Sequence, residues 1–318
     1  MKFSIAKILT GTLLVLSASF TWAAYPEKPI EIIVPWPPGT ETDVGTRALA
    51  GAMSKRLNVP IQIINKPGAG GVIGITDFVK ARPDGYTLSQ GNVGPMVSQI
   101  VAGNTSYAAA DFEPIGIFNT QPYLLVAKGD APYKNMKELA AYAKSSGKEV
   151  AIGNFGPATV PTLSINRMAM ADGWKFKGVV YPATNFTQIQ SGDVDLIVVA
   201  YPVVAAQLKS GQAKALIALS PKRISTLPNV PTVRESGFNF DVSIWSGLFA
   251  PKGMPADISK KLSDVLKDAL TDAAIKDFEE KTGILHGFID AKSSRAQMDA
   301  EAAGLQPVMQ NLNLIKAK

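Results

Sequence analysis

Two short loops hold the residue types best suited to chemistry in this chain, and the chemistry they suit is capture of an anion. The first, Pro37-Pro38-Gly39-Thr40-Glu41-Thr42-Asp43, sets a stiff proline pair before a Thr-x-x-Asp capping box, in which Thr40 can cap a helix and Asp43 can reach back. A helix that starts just after a strand leaves unpaired N–H groups and the positive end of its dipole, which together receive anions. The second, Asn65-Lys66-Pro67-Gly68-Ala69-Gly70-Gly71-Val72-Ile73-Gly74, removes side chains and presents bare N–H groups, a nest for a carboxylate or phosphate. It is a poor dinucleotide fingerprint: Gly68 and Gly70 are correctly spaced, but Ile73 takes the third glycine's place and no acidic residue follows about 20 residues on. Alone, the first loop reads as plain capping. Two anion-receptive helix starts at one sheet edge point instead to a small carboxylate.

Bond-making chemistry has little to work with. The chain has one His and no Cys, which excludes a thiolate nucleophile, a disulfide scaffold, a zinc-thiolate site and an iron–sulfur cluster. His286 lies in Leu285-His286-Gly287, far along the chain from both loops, and reads as a surface or satisfied histidine. There is neither a G-x-S-x-G elbow nor a phosphate-loop Gly-Lys-Ser/Thr. The expectation is a binding protein with no catalytic residue, metal or cofactor.

The elements that must position these loops alternate between short β-branched runs and stretches of helical period, the pattern of parallel α/β units. Strands are expected at residues 30–34, 60–64, 86–89, 124–127, 149–153, 178–181, 195–200, 214–219 and 246–250. Helices are expected after each loop, with Val44, Ala48, Leu49, Ala52, Met53 and Leu57 on the first and Val72, Ile75, Phe78 and Val79 on the second. Further helices are expected at residues 136–144, 162–171 and 203–209. Beyond residue 250 the pattern predicts helices only, with Ile258, Leu262, Val265, Leu266 and Ala269 on a stripe that returns to cover the first α/β unit. The charged residues of 257–281 read as its solvated face.

That order suggests two lobes, residues 24–124 with 249–318 and residues 125–248, joined by crossings near 123–128 and 246–252, with Trp245 packing in the hinge. Ligand sites favour such a crevice at the carboxyl ends of strands. Lys2 and Lys7 precede an apolar run over residues 8–20, followed by Thr21-Trp22-Ala23-Ala24. This predicts a signal peptide over residues 1–23, since the run is short of the ~20 residues that span a bilayer. With 46% hydrophobic residues the remainder is a folded chain. The 32 Lys+Arg against 26 Asp+Glu are scattered, so nucleic-acid binding is not expected.

The segments PWPPGTETD (residues 35–43), NKPGAGGVIG (65–74), PDGYTL (83–88), GDVDLIV (192–198), SPKRISTLPNVPTVRESG (220–237) and LFAPKGMP (248–255) resemble, in order, the Bug-type periplasmic solute-binding proteins of tripartite tricarboxylate transporters. The resemblance implies an α/β, two-lobed periplasmic-binding-protein fold, type II-like, with mainly parallel sheets and a two-crossing hinge. It implies a protein that closes on an organic acid in the periplasm and delivers it to a permease of two integral membrane subunits; a monomer is the default for a binding protein. Carried over, the first-lobe contacts are Gly39, Thr40, Thr42 and Asp43 from one loop and Ala69, Gly70, Gly71 and Val72 from the other, with Asp43 ordering the loop.

Departures from the family pattern concern the ligand. Thr40 and Glu41 stand where glycines are usual, narrowing the first loop and adding a negative charge. The far-lobe loop reads Gly153-Asn154-Phe155-Gly156-Pro157-Ala158-Thr159, and Tyr201 follows the strand where small polar groups are common. Asn154, Phe155, Thr159 and Tyr201 are therefore the expected far-lobe contacts, and Trp36 joins them at the cleft edge. With only Lys66 to neutralise a further charge, the expected ligand is an apolar or aromatic carboxylate rather than citrate. A sensor that feeds a membrane kinase would use the same site, and the sequence does not separate it from uptake; a secreted α/β enzyme lacks its motifs.

Overall fold

The structure, a computed structural model, describes residues 25–181 and 183–316; the expected signal peptide lies outside the described residues. The chain opens with β1 (Ile30–Val34), α1 (Glu41–Leu57), β2 (Ile61–Asn65), α2 (Val72–Phe78) and β3 (Thr87–Asn92). A wide turn at Gly94–Ser98, the short α3 (Gln99–Val101) and β4 (Phe112–Thr120) complete the first passage. Then come β5 (Tyr123–Lys128), α4 (Met136–Ser145), β6 (Val150–Asn154), α5 (Val160–Ala171) and β7 (Phe176–Val180). These lead to α6 (Phe186–Ser191), β8 (Leu196–Ala200), α7 (Tyr201–Lys209) and β9 (Ala213–Leu219). The last passage holds β10 (Trp245–Pro251), α8 (Ala256–Ala269), α9 (Ala273–Thr282), β11 (Leu285–Asp290) and α10 (Ala291–Asn311).

The strands form two sheets, in the orders β11-β4-β10-β3-β1-β2 and β7-β6-β8-β5-β9. They are mixed, which corrects the expectation of mainly parallel sheets: β1–β2, β1–β3, β6–β7 and β6–β8 are parallel, and the other five pairings are antiparallel. The double crossing causes the four that involve β5 and β10. A strand that enters a sheet from the other half starts at the edge where its neighbours end, so β5 and β10 run against both partners. The chain passes between sheets at residues 121–122 and over 220–244, just ahead of the segments 123–128 and 246–252, which are strands of the sheets they enter. The two passages are tied where the Gln121 N–H donates to the Ile244 carbonyl at 2.8 Å.

The carboxyl ends of β1, β2, β3 and β4 in one sheet, and of β6, β7, β8 and β9 in the other, therefore all face the crossings. The period-two alternation of β1 sends Ile30, Ile32 and Val34 to one face, against Leu49 and Met53 of α1 and Leu262 and Leu266 of α8. Thus the late helical stripe does return to the first α/β unit. Ile33 turns to the opposite face, into an apolar cluster with Phe78, Met96 and Met298 that continues into Leu125, Ile152 and Met168 of the other sheet. Trp245 is fully buried at the crossing, and its indole N–H donates to Glu301 at 2.8 Å.

The region past residue 250 is not helices only: β11 pairs with β4, Leu285 opposite Thr120 and Asp290 opposite Gly116, with an irregularity between His286 and Ile289. It becomes a strand by pairing with a partner more than 160 residues earlier in the chain, which its own six residues do not announce.

Candidate functional site

Both anion-receptive loops sit at the carboxyl edge of the six-stranded sheet, and one buried carboxylate binds them together. Asp43, 2% exposed, accepts from the Gly39 N–H at 2.9 Å, from Arg47 Nε at 3.0 Å and from the Asn65 side-chain amide at 2.8 Å. Asn65 also donates to the Trp36 carbonyl at 3.0 Å and accepts from Arg47 at 2.8 Å. Burial pushes the Asp43 carboxyl up, but the hydrogen bonds from Arg47, Asn65 and Gly39, with the Arg47 charge, hold it below its ordinary value. Asp43 does not close the expected capping box. Its carboxylate takes the Gly39 N–H, while Thr40 caps α1 through its hydroxyl, which accepts from the Asp43 N–H at 3.4 Å and donates to the Pro37 carbonyl at 2.9 Å. Every carboxylate lone pair is thus spent on holding the loops.

The second loop winds through a tight turn at Ala69–Gly71, with Gly68, Ala69, Gly70 and Gly71 all at positive φ. Of the four amides expected to face a ligand, two are engaged inside the turn: Gly71 N–H donates to the Gly68 carbonyl at 2.9 Å and Val72 N–H to that of Ala69. This leaves the Ala69 and Gly70 amides as the nest. Close packing requires glycine at Gly71, where φ is +92° and a Cβ would lie 3.0 Å from Pro95 and 3.5 Å from Pro35. Pro35 begins the first loop, so that contact sets the two loops side by side. Thr42 lies in the first turn of α1 with Glu41, on the wall of a small recess shared with Gln121 and Phe278.

Glu41 does not face the loops' amides. Its carboxylate accepts from the Gln121 side chain at the crossing, and burial pushes its carboxyl up to about 7. The same carboxylate, second to burial, helps raise the Tyr123 hydroxyl to about 12. The negative charge expected at the loop is therefore partial and aimed at the hinge. A glutamate that holds its proton more tightly folded than unfolded costs stability as pH rises from its ordinary 4.5 through about 7. Glu41→Gln should melt with wild type near pH ~5 and roughly 1–3 °C above it near pH ~8, in paired thermal scans.

In the other half, the expected contacts divide. Asn154 is 1% exposed and its amide is turned inward: it donates to the Ile152 carbonyl at 3.0 Å and accepts from the Gly156 N–H at 2.8 Å. It shapes the loop after β6 and is not free to touch a ligand. Thr159 stands at the start of α5 but gives it no side-chain cap; its hydroxyl donates to the Gly156 carbonyl at 2.9 Å and meets the Thr162 hydroxyl at 2.9 Å. Phe155 packs edge-to-face on Tyr123, with ring centroids 5.7 Å apart. Tyr201 begins α7 with its N–H on the Pro122 carbonyl at 3.1 Å, and its ring abuts Gly283 at the end of α9, where a Cβ would come within 2.9 Å. Tyr201 therefore spans the seam between the halves. Trp36 is half-buried. Its ring packs on the apolar cluster around α1, with its indole nitrogen buried and unpaired.

The geometry is that of a receptor: amide and hydroxyl groups at facing sheet edges. Among the described residues, no group of three or more His, Asp or Glu is placed to hold a metal ion, and no helix is long and apolar enough to cross a membrane. His286 lies in β11 beside Phe278, and burial pulls its imidazole down to about 4. The family model described as tripartite tricarboxylate transporter family receptor, TctC, matches residues 46–314. The chain belongs to that family. Protein BugT of Bordetella pertussis is 30% identical over 266 residues, 82% of each chain. A TctC solute binding protein from Polaromonas superposes with a TM-score of 0.80 at 30% identity, covering 90% of this chain and 99% of that one. MatC from Rhodopseudomonas palustris, solved with bound malate, gives 0.72 at 27% identity, covering 89% and 99%. TctC receptors bind solutes and carry out no bond chemistry, and this chain is a solute-binding receptor of that kind, not an enzyme.

Two residues that lock these loops together escaped the sequence reading, Arg47 and Asn65. Arg47 was signalled by its spacing, one turn after Asp43 on the same helix face. Asn65 was seen only as the first residue of a glycine loop. That its amide crosses to a carboxylate 22 residues earlier follows from β1 and β2 being neighbours, with Val34 opposite Asn65.

Proposed function

We propose that this receptor captures a small organic carboxylate in the crevice between its two halves and delivers it to a permease of two integral membrane subunits. The observation that carries the reading is the pair of loops locked by Asp43, Asn65 and Arg47, which holds the Ala69 and Gly70 amides and the first turn of α1 at one edge. MatC, with its bound malate, supports the ligand class. The six-stranded sheet marks one lobe and the five-stranded sheet the other, so the expected boundaries at 124/125 and 248/249 move to the crossings at 121–122 and 220–244, about which the lobes close. The chain is exported by its N-terminal segment to the periplasm and works as a monomer.

Phe155 and Tyr201 give the proposed crevice an apolar wall, which favours an acid with an apolar or aromatic body over citrate. Calorimetric titration with aliphatic and aromatic mono-, di- and tricarboxylates tests both parts. The expected result is one ligand per chain, with Phe155→Ala and Tyr201→Ala each weakening an aromatic acid about tenfold, the ~1.4 kcal/mol expected for a lost aromatic contact. Unchanged affinity in both variants would withdraw the apolar preference; no binding of any acid would withdraw the ligand class.

A further inference from the structure

A cavity of about 790 Å³ lies on the opposite flank of the crossings from Glu41, between α5 and α10. Its lining includes no residue of either glycine-bearing loop. Val160 and Leu163 of α5, Leu305 and Val308 of α10, and Val242 before β10 make most of it apolar. Its volume falls in the range that holds small molecules, roughly 300–1,000 Å³.

One group in this apolar wall is out of place. The Arg167 guanidinium stacks on the Phe240 ring, 3.9 Å from its centroid, and among the described residues no hydrogen bond or ion pair engages it; burial alone pulls its pKa down. The other lining arginine, Arg234, is neutralised by Asp241 through contacts of 2.8 and 2.7 Å. The lining Glu301 has both oxygens occupied, by the Trp245 indole at 2.8 Å and the Gln297 amide at 3.0 Å. Burial raises its carboxyl to about 7, so its opposing charge is partial. A stacked guanidinium keeps its plane fixed and its edge free, the geometry that takes a carboxylate through two parallel hydrogen bonds.

We propose that this cavity is a second binding site, for a monocarboxylate with an apolar chain or ring, its carboxylate on Arg167 and its body along Leu163, Leu305 and Val308. The site is independent of the loop site and takes ligand from both halves of the molecule. One unpaired cation specifies one carboxylate, and the apolar wall selects against short polar di- and triacids.

Titration of the full chain with octanoate, octylamine and octanol tests this. In the Gly71→Val background, which disables the loop site, octanoate should bind saturably, one per chain, and the amine and alcohol should not. Arg167→Gln should weaken octanoate at least tenfold with little change in melting temperature, and Arg167→Lys less. Gly304→Leu, which sets a side chain beside Arg167, where a Cβ would lie 3.6 Å from Nη1, should also block it. Any additional octanoate bound by wild type but not by Gly71→Val belongs to the loop site and should ignore Arg167→Gln. No saturable binding, equal binding of octylamine, or octanoate affinity that follows Gly71→Val and ignores Arg167→Gln would overturn the proposal. If octanoate behaves as stated while no short acid binds, the loop reading fails and this one stands.

Discussion

Asp43→Ala should lose its ligand and a large part of its stability in one step. The carboxylate it removes is nearly inaccessible and is the shared acceptor for Gly39, Arg47 and Asn65. Each donor left behind is either buried without a partner or must drag water in. Hydrogen bonds to a charged group are worth about 1.5–3 kcal/mol, and stranding a buried donor adds to that. Arg47 is half-exposed and can turn to solvent, which limits the loss to roughly 3 kcal/mol, a fall in melting temperature of about 5 °C for a chain of this size. Binding should drop by more than the stability change explains, because loops no longer tied at Gly39 and Asn65 must be ordered by the ligand. Asp43→Asn keeps one acceptor oxygen for Gly39 or Asn65 and should fall between. If calorimetry at a temperature where Asp43→Ala is folded gives wild-type affinity, the network does not order the site.

Gly71→Val is the second large effect, and it acts on the ligand before it acts on the fold. At φ +92° a β-branched residue is an outlier, costing about 1–3 kcal/mol in backbone strain alone. Its Cβ would also press on Pro95 and Pro35. The turn escapes by unwinding, which rotates the Ala69 and Gly70 amides out of the nest and pushes the second loop off the first. The expectation is at least a hundredfold loss of acid binding with a melting-temperature fall of about 3–6 °C. Gly39→Ala supplies a graded comparison, since Gly39 is also at positive φ but a Cβ there meets nothing within 4 Å. Should Gly71→Val bind as tightly as wild type, the nest is not where the acid sits.

The loops were legible in the sequence because what makes them is local. Glycines at left-handed positions, a Thr cap and a proline-stiffened approach depend on neighbours a few residues away. The first strand and the late helical stripe were legible for the same reason, an uninterrupted apolar period. What failed depends on distant partners. β4 carries Pro114 and Gly116 inside it and was not read as a strand; it is held by pairing with β10 and β11 on its two sides. Strand direction was misjudged because it follows from which half the chain arrives from, a fact about the crossings and not about β5 or β10 themselves. Trp36 and Asn154 were assigned to the ligand on residue type and loop position. Packing claims the Trp36 ring, and the backbone of its own turn satisfies the Asn154 amide. Glu41 was placed correctly in sequence and wrongly in space, since a long side chain at the start of α1 reaches Gln121 more readily than the loop's own amides.

The central claim is that a small organic acid is held by the first turn of α1 and the Ala69–Gly70 amides. The most direct measurement is the amide proton–nitrogen NMR spectrum of the protein, recorded with and without a saturating amount of the tightest acid in the panel, starting with malate. The largest shifts are expected at Thr42, Ala69 and Gly70, with smaller ones along the Gly156–Thr159 turn as the halves close, and none of these in Gly71→Val. Shifts confined to α5 and α10, with the Ala69 and Gly70 signals unmoved, would contradict it.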